Sequence, residues 1–448
     1  MSETFDAVIL GTGPGGEEVA DRLIDAGQSV AMVERELMGG ECPYWACIPS
    51  KVLLRPGEAR GDAARAFGVG TPELDWPETA AYRDQIVRHL DDSGLEESYV
   101  KKGATIVRGE GRLAGPGAVE VDGRRLEARN IVIATGSGAT TPPIDGLADV
   151  PYWSNREATT LKEIPESAIV VGGGPVAIEL SQFLRRFGAD VTLIQSPDRL
   201  IDREEPRVGE LINAFLQEEG IIVRTDCLAQ SALLDGEQTV VGLSDGSEVR
   251  AEVLLVAAGR TPRIHDIGLD TVGVEPGPKS LPIDGGCRLA DGLWAVGDAT
   301  GVFLFTHVAQ YQARVAAENI LGGSRVADYR AIPRVVFSDP EIAAVGLTEK
   351  QAADQGIQVA VTSIDLAARL ARPVTYEREP RGELGLVADR ERGVLVGAWA
   401  VSPLASEFIG QAITAIRAEV PVETLRDTVQ QFPTFSEGYF KALEQLEL

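Results

Sequence analysis

The stretch Ala7-Val8-Ile9-Leu10-Gly11-Thr12-Gly13-Pro14-Gly15-Gly16 sets four apolar residues directly before a Gly-x-Gly-x-x-Gly run. A short apolar run that breaks into glycines reads as a buried strand turning into a helix. The helix pattern continues through Ala26, and Val30 to Val33 forms a second strand ending at Glu34. Each glycine answers a separate need: Gly11 permits the tight turn, Gly13 lets backbone approach a pyrophosphate, and Gly16 lets helix pack on strand. The first turn of the helix offers N–H groups to phosphate oxygens. Glu34, 18 residues beyond Gly16, can accept hydrogen bonds from a ribose. A lone glycine run is weak grounds, but strand, helix, second strand and acid together make a dinucleotide-binding unit.

A second copy begins 161 residues later: Ile169-Val170-Val171 leads into Gly172-Gly173-Gly174-Pro175-Val176-Ala177, with a helix to Phe187 and a strand Asp190 to Ile194. Each copy is followed by a similar closing segment, Ile131 to Gly136 in the first and Val253 to Arg260 in the second. Two such units predict two bound nucleotides. Further on, Leu293 to Val296 reads as a buried strand ending in Gly297-Asp298, where the acid can bind a cofactor edge or cap the next helix. From about Tyr329 the glycine fingerprints stop. Strand-like segments at Arg334 to Phe337, Gly385 to Ala388 and Val394 to Val401 then mix with helices around Phe408 to Glu419 and Ser436 to Gln445, which suggests an α+β association domain.

Between the first helix unit and the rest lies Gly39-Gly40-Glu41-Cys42-Pro43-Tyr44-Trp45-Ala46-Cys47-Ile48-Pro49-Ser50-Lys51. Two of only four cysteines sit five apart beside a predicted cofactor unit. The chain can bend enough over that interval to bring the Cα atoms within the roughly 4.4 to 6.8 Å that a disulfide needs. A metal site is the rival reading. Zinc would want further ligands, and Cys227, Cys287, His89, His265 and His307 show no ligand spacing, so no metal is expected. Cys227 and Cys287 read as small apolar packing residues.

The chain's 448 residues predict about three domains of roughly 150 residues each. With 42 basic against 68 acidic side chains the net charge is −26, spread along the chain, which argues against nucleic acid as a partner. The N-terminus lacks a basic region and a signal-like apolar segment, and no run approaches 18 apolar residues. A cytoplasmic protein with no membrane partner is expected. So few cysteines in a reducing compartment point to chemistry rather than a disulfide scaffold.

Taken together the motifs resemble those of the class I pyridine nucleotide-disulfide oxidoreductases, the flavoenzyme family of dihydrolipoamide dehydrogenase, glutathione reductase, mycothione reductase and mercuric reductase. The resemblance runs over essentially the whole chain. It rests on Gly11 to Gly16, Cys42 to Lys51, Ala134-Thr135-Gly136, Gly172 to Glu179, Gly259-Arg260, Gly297-Asp298, Asp339-Pro340-Glu341 to Gly346, and Pro433 to Glu437. It implies an α/β chain with two Rossmann-like dinucleotide-binding domains plus a C-terminal α+β dimerisation domain. The implied divisions are 1–150 and 269–330 for FAD, 151–268 for NAD(P), and 331–448 for a homodimer interface. For FAD it implies Gly11, Gly13, Gly16, Glu34, Thr135, Gly136 and Asp298. For the nicotinamide cofactor it implies Gly172, Gly174, Ala177, Gln195, Arg199, Gly259 and Arg260. Reduced nicotinamide would pass hydride to FAD, Cys47 would lie nearer the flavin, and Cys42 would attack the substrate. Lys51 and Glu179 would pair beside the flavin, where a fixed positive charge stabilises the reduced ring. His307 falls in a segment near the flavin in relatives, where it reads as a packing residue.

The chain departs from that family in places that bear on its chemistry. The histidine that usually precedes Pro433-Thr434 and serves the substrate thiol as acid and base is here Phe432, and its partner Glu437 remains as a structural residue. Tyr44 and Trp45 replace small linker residues and either shape an aromatic substrate surface or pack internally. Pro175 stands where many relatives carry an aromatic gate. Ala177, with Gln195 in place of the acid that binds an NAD ribose, favours NADPH over NADH, with Arg199 and Arg203 the nearby cations.

These features predict an FAD-dependent NAD(P)H:disulfide oxidoreductase acting on a small disulfide whose leaving group needs little protonation. Alternatives are a metal-ion or quinone reductase, and a flavin and thiol redox sensor with little turnover. Mercuric reductase and the large thioredoxin reductases are disfavoured, because Leu443 to Leu448 holds no cysteine pair.

Overall fold

The structure is a computed structural model that describes residues 3–448, and its backbone gathers into two compact units. The first comprises Met1–Pro49, Ala81–Thr140 and Gly259–Asp328; the second comprises Ser50–Ala80, Thr141–Ala258 and Tyr329–Leu448. Among the described residues no helix is long and apolar enough to cross a membrane.

In the first unit the strand Glu3–Leu10 lies between Val30–Glu34 and Arg124–Ile133, parallel to both. Thr105–Arg108 extends the parallel set on one side and Leu293–Ala295 on the other. Ala7 to Leu10 are at most 2% exposed, which explains why this strand reads as a continuous apolar run rather than an alternating one. The crossover helix Pro14–Asp25 buries Val19, Ala20 and Leu23 against one face of the sheet, together with Ala313, Ala316 and Ala317 of the helix Thr306–Ile320. The opposite face carries Val8, Leu10, Val33, Val119 and Leu126.

The second unit repeats the pattern. Ser167–Val171 sits between Asp190–Ile194 and Val253–Val256 in a four-stranded parallel sheet, crossed by the helix Pro175–Arg186. The repetition extends to single atoms. Gly11 has φ +96°, and a Cβ there would meet the Ala134 carbonyl oxygen at 2.3 Å; Gly172 has φ +125°, and a Cβ there would meet the Ala257 oxygen at the same 2.3 Å. Both turns require glycine on two counts, the left-handed backbone and the touching carbonyl.

Residues 333–402 add a five-stranded antiparallel sheet in the order Pro333–Val336, Glu341–Gly346, Val394–Ser402, Glu383–Asp389, Val359–Asp365. Three departures from the sequence reading stand out. The helix expected over Phe408 to Glu419 forms as two pieces, Ala405–Phe408 and Gly410–Arg417, with a glycine, a weak helix former, opening the second. The closing strand of the second copy ends at Val256, and Arg260–Pro262 instead pairs antiparallel with Ser137–Ala139. A three-stranded antiparallel sheet over Ala229–Asp235, Gln238–Leu243 and Glu248–Ala251 was not anticipated, because its alternation is interrupted by exposed Leu233 and Leu234.

Candidate active site: a thiol pair and two glycine-rich loops

Cys42 lies in the short helix Glu41–Trp45, and Cys47 opens the long helix Cys47–Arg65, with the chain bending at Ala46 between them. That bend turns both sulfurs toward one atom. The Thr306 hydroxyl lies 3.3 Å from Cys42 Sγ and 3.5 Å from Cys47 Sγ. Thr306 begins the helix Thr306–Ile320, and the rings of Phe303, Phe305 and His307 stack beside it at 6.4 and 5.2 Å. Thr306, one residue before His307, carries no motif signal of its own in the sequence. Chemically the arrangement suits a thiolate: a hydroxyl can donate to whichever sulfur is charged, and the N-terminus of a 15-residue helix adds partial positive charge.

Ahead of Cys42, Glu41 accepts from Arg260 at 2.5 Å and from Arg263 at 2.9 Å. Arg260 also donates to the Ser137 hydroxyl at 2.7 Å, and Ser137 donates to Asp298 at 2.5 Å. Asp298 therefore caps no helix; burial pushes its carboxyl up, and the Ser137 bond and Arg260 work against that. Thr135 donates to the Arg263 carbonyl at 2.6 Å, and Gly136 has φ +68°. None of these cross-chain bonds has a local spacing that the sequence could reveal.

The two glycine loops fit phosphate-bearing nucleotides. The helix caps Gly13 and Gly174 provide no capping side chain. A Cβ at Gly174 would meet nothing within 4 Å, and one at Gly13 only the Gly40 Cα at 4.0 Å, so each loop leaves backbone open to a ligand. Gly16 is held by the fold, since a Cβ there would meet the Gly11 oxygen at 2.1 Å. Glu34 accepts from the Thr12 N–H and hydroxyl at 2.9 and 2.8 Å, and from the Glu36 N–H at 2.8 Å, bracing the first loop. In the second loop Ala177 is fully buried, Gln195 is 7% exposed and packs under Gly173, and Arg199 donates to the Asp202 carbonyl at 2.8 Å. Gly259 has φ +118°.

In the second unit Lys51, one turn beyond Cys47 on its helix, meets Glu179 at 2.7 Å. Glu179 is 5% exposed and takes the Phe337 N–H at 3.0 Å with its other oxygen. Close by, Asp339 receives Arg65 at 3.0 Å, Arg186 at 2.9 Å and Arg381 at 2.7 Å. Burial would raise the Asp339 carboxyl, but Arg186, Arg381 and Arg65 hold it below its ordinary 3.8. Glu377, Glu219 and Asp62 also pair with these arginines.

A group with a depressed folded pKa stabilises fully above its unfolded value and loses that effect as pH falls through the folded one. Asp339→Asn, which takes one carboxylate from three half-buried guanidiniums that keep Glu377, Glu219 and Asp62, is expected to cost about 1 to 3 kcal/mol at pH 7. Its deficit in melting temperature against the native chain should shrink below about pH 4. A deficit independent of pH would show that the Asp339 charge is not what holds the cluster.

Between the two cysteines, Tyr44 is 2% exposed and so belongs to the core, its ring 5.9 Å from Trp45. Phe432 is 74% exposed, and Glu437 accepts the Thr434 N–H at 3.3 Å at the start of the helix Glu437–Gln445. Cys227 and Cys287 are packed in apolar clusters.

Residues 5–313 match the family described as pyridine nucleotide-disulphide oxidoreductase, and residues 332–443 match its dimerisation domain. A mercuric reductase of Streptomyces lividans is 36% identical over 97% of this chain and 94% of its own. A dihydrolipoyl dehydrogenase of Thermus scotoductus is 34% identical over 99% of this chain and 98% of its own. Among solved structures, the HOCl-induced flavoprotein disulfide reductase RclA from Escherichia coli has a TM-score of 0.87 at 25% identity, covering 98% of this chain and 99% of that one. The chain belongs to the pyridine nucleotide-disulphide oxidoreductase family, and is an FAD-dependent NAD(P)H oxidoreductase acting on sulfur.

Proposed function

We propose that this protein reduces a small disulfide whose departing sulfur needs no proton from the protein, using NADPH in preference to NADH. The observation that carries this is the pair of sulfurs sharing the Thr306 hydroxyl, on a chain whose usual acid–base histidine is Phe432. Gly11, Gly13, Gly16, Glu34, Thr135, Gly136 and Asp298 would hold FAD; Gly172, Gly174, Ala177, Gln195, Arg199, Gly259 and Arg260 would hold the nicotinamide cofactor. Bound FAD supplies the two-electron exchange between nicotinamide and sulfur that no side chain can perform. Residues 1–150 and 269–330 serve the flavin, 151–268 the nicotinamide, and 331–448 a homodimer, the last supported by the match to a dimerisation domain.

From the reduced pair the step is thiol–disulfide exchange. The Cys42 thiolate attacks one sulfur of the acceptor, forming a mixed disulfide and expelling the first thiolate. Cys47 then attacks the Cys42 sulfur, expelling the second thiolate and closing the Cys42–Cys47 bond. Two electrons leave with the two product thiolates, and the two thiol protons go to water. Thr306 and the helix terminus favour the thiolate, and Lys51, held by Glu179, would supply the fixed positive charge that favours reduced flavin.

Anaerobic NADPH should therefore render two further thiols titratable per chain and raise a long-wavelength thiolate-to-flavin absorption. Reduction of the flavin without new thiols would disconnect Cys42 and Cys47 from it. A soft metal ion taken between the thiolates is the second reading. The identity to a mercuric reductase supports it.

A further inference from the structure

The Lys51 ammonium is fixed from three directions. Glu179 Oε2 lies at 2.7 Å, the Ser50 hydroxyl at 3.3 Å, and the Phe337 ring faces the nitrogen at 4.7 Å from its centre. An ammonium over an aromatic face is attracted by the ring quadrupole. Phe337 is thus bound to the ion pair twice, through its ring to Lys51 and through its N–H to Glu179.

Two residues on, the same segment is held far more strongly than a surface turn requires. Gln182 brackets the Asp339 peptide, accepting its N–H at 2.9 Å and donating to its carbonyl at 3.1 Å. The Asp339 carboxylate takes three guanidiniums, from Arg65, Arg186 and Arg381. Glu179, Gln182 and Arg186 follow at helical spacing along Pro175–Arg186, so one helix face grips Phe337 to Asp339 throughout. Arg65 ends the helix that carries Lys51. The ion pair and its anchor therefore share both helices.

We infer that Phe337 is a positioning residue for Lys51, and that Gln182 and the Asp339–arginine cluster anchor Phe337 in that position. The inference rests on Lys51 being the fixed cation beside the flavin. A large, partly exposed aromatic ring at this point is otherwise unexplained, since Phe337 is 38% exposed and belongs to none of the apolar core clusters.

The test measures the midpoint potential of the flavin in the holoenzyme and, separately, kcat against KM for the nucleotide. Lys51→Met should lower the equilibrium constant for two-electron reduction by about tenfold or more, about 30 mV. Phe337→Leu should lower it by about fivefold, about 20 mV, with kcat falling and KM unchanged, and Phe337→Tyr should restore it. Gln182→Leu, which loosens the anchor without touching Lys51, should shift the potential in the same direction. A native potential in Phe337→Leu beside a shifted one in Lys51→Met overturns the positioning role while leaving the reading of Lys51 intact. A native potential in Gln182→Leu, with Phe337→Leu shifted, overturns the anchor. No shift in Lys51→Met overturns both the inference and the reading under it.

Discussion

Cys42→Ser is expected to abolish reduction of disulfide acceptors, by about 10³-fold or more, the scale on which loss of a covalent nucleophile is felt. Reduction of the flavin by nucleotide should proceed as before. The reason is positional: the proposed exchange begins on Cys42, whereas Cys47 keeps its place at the start of its helix and its approach to Thr306 in the variant. Serine is nearly isosteric, so the short helix Glu41–Trp45 and the Glu41 pairing with Arg260 and Arg263 should persist. The measurement is NADPH oxidation against a panel of low-molecular-weight disulfides, quinones and metal ions, native chain beside variant. An acceptor whose reduction survives takes electrons from the flavin directly; one whose reduction vanishes uses the thiol pair. If every disulfide remained a substrate of Cys42→Ser, the proposed route through Cys42 would be wrong.

How far such a site can be read from sequence depends on whether its constraints are local. Gly11 and Gly172 were legible because each is forced by its own turn and by a carbonyl at the end of the closing strand. The strands Glu3–Leu10 and Ser167–Val171 were legible because parallel strands covered on both faces are apolar throughout. Lys51 and Glu179 came from the resemblance, and they do meet. Thr306 was not legible, since it lies 264 residues from Cys42 and a single threonine announces nothing. The same holds for Asp339, whose three arginines come from two helices and a loop with no shared spacing. Long-range polar contacts of this kind depend on the fold as a whole, and only apolar periodicity and turn chemistry leave a trace in the local pattern.

Alkyl disulfides should be turned over about 10²- to 10⁴-fold more slowly than aromatic disulfides that leave as thiones, the range that general acid–base catalysis commonly supplies. An alkyl thiolate is basic and leaves poorly without a proton, whereas a thione-forming sulfur needs none. Phe432, 74% exposed at the position where relatives place histidine, can neither give nor take one. Glu437 remains, its carboxylate accepting the Thr434 N–H at 3.3 Å. A carboxylate can still accept from a second donor, so Glu437 could orient an imidazole placed at 432. Phe432→His is accordingly expected to raise alkyl-disulfide turnover by about tenfold or more, with a new dependence on pH near the histidine value of about 6.5. Turnover of the thione-forming substrate should stay where it was, because its leaving step already proceeds without help. Steady-state rates for glutathione disulfide and 2,2′-dithiodipyridine, measured from pH 5.5 to 8.5 on both chains, carry the comparison. Equal rates for the two substrates on the native chain would mean that some other group provides the proton, and that the side chain at 432 does not decide which acceptors this enzyme can use.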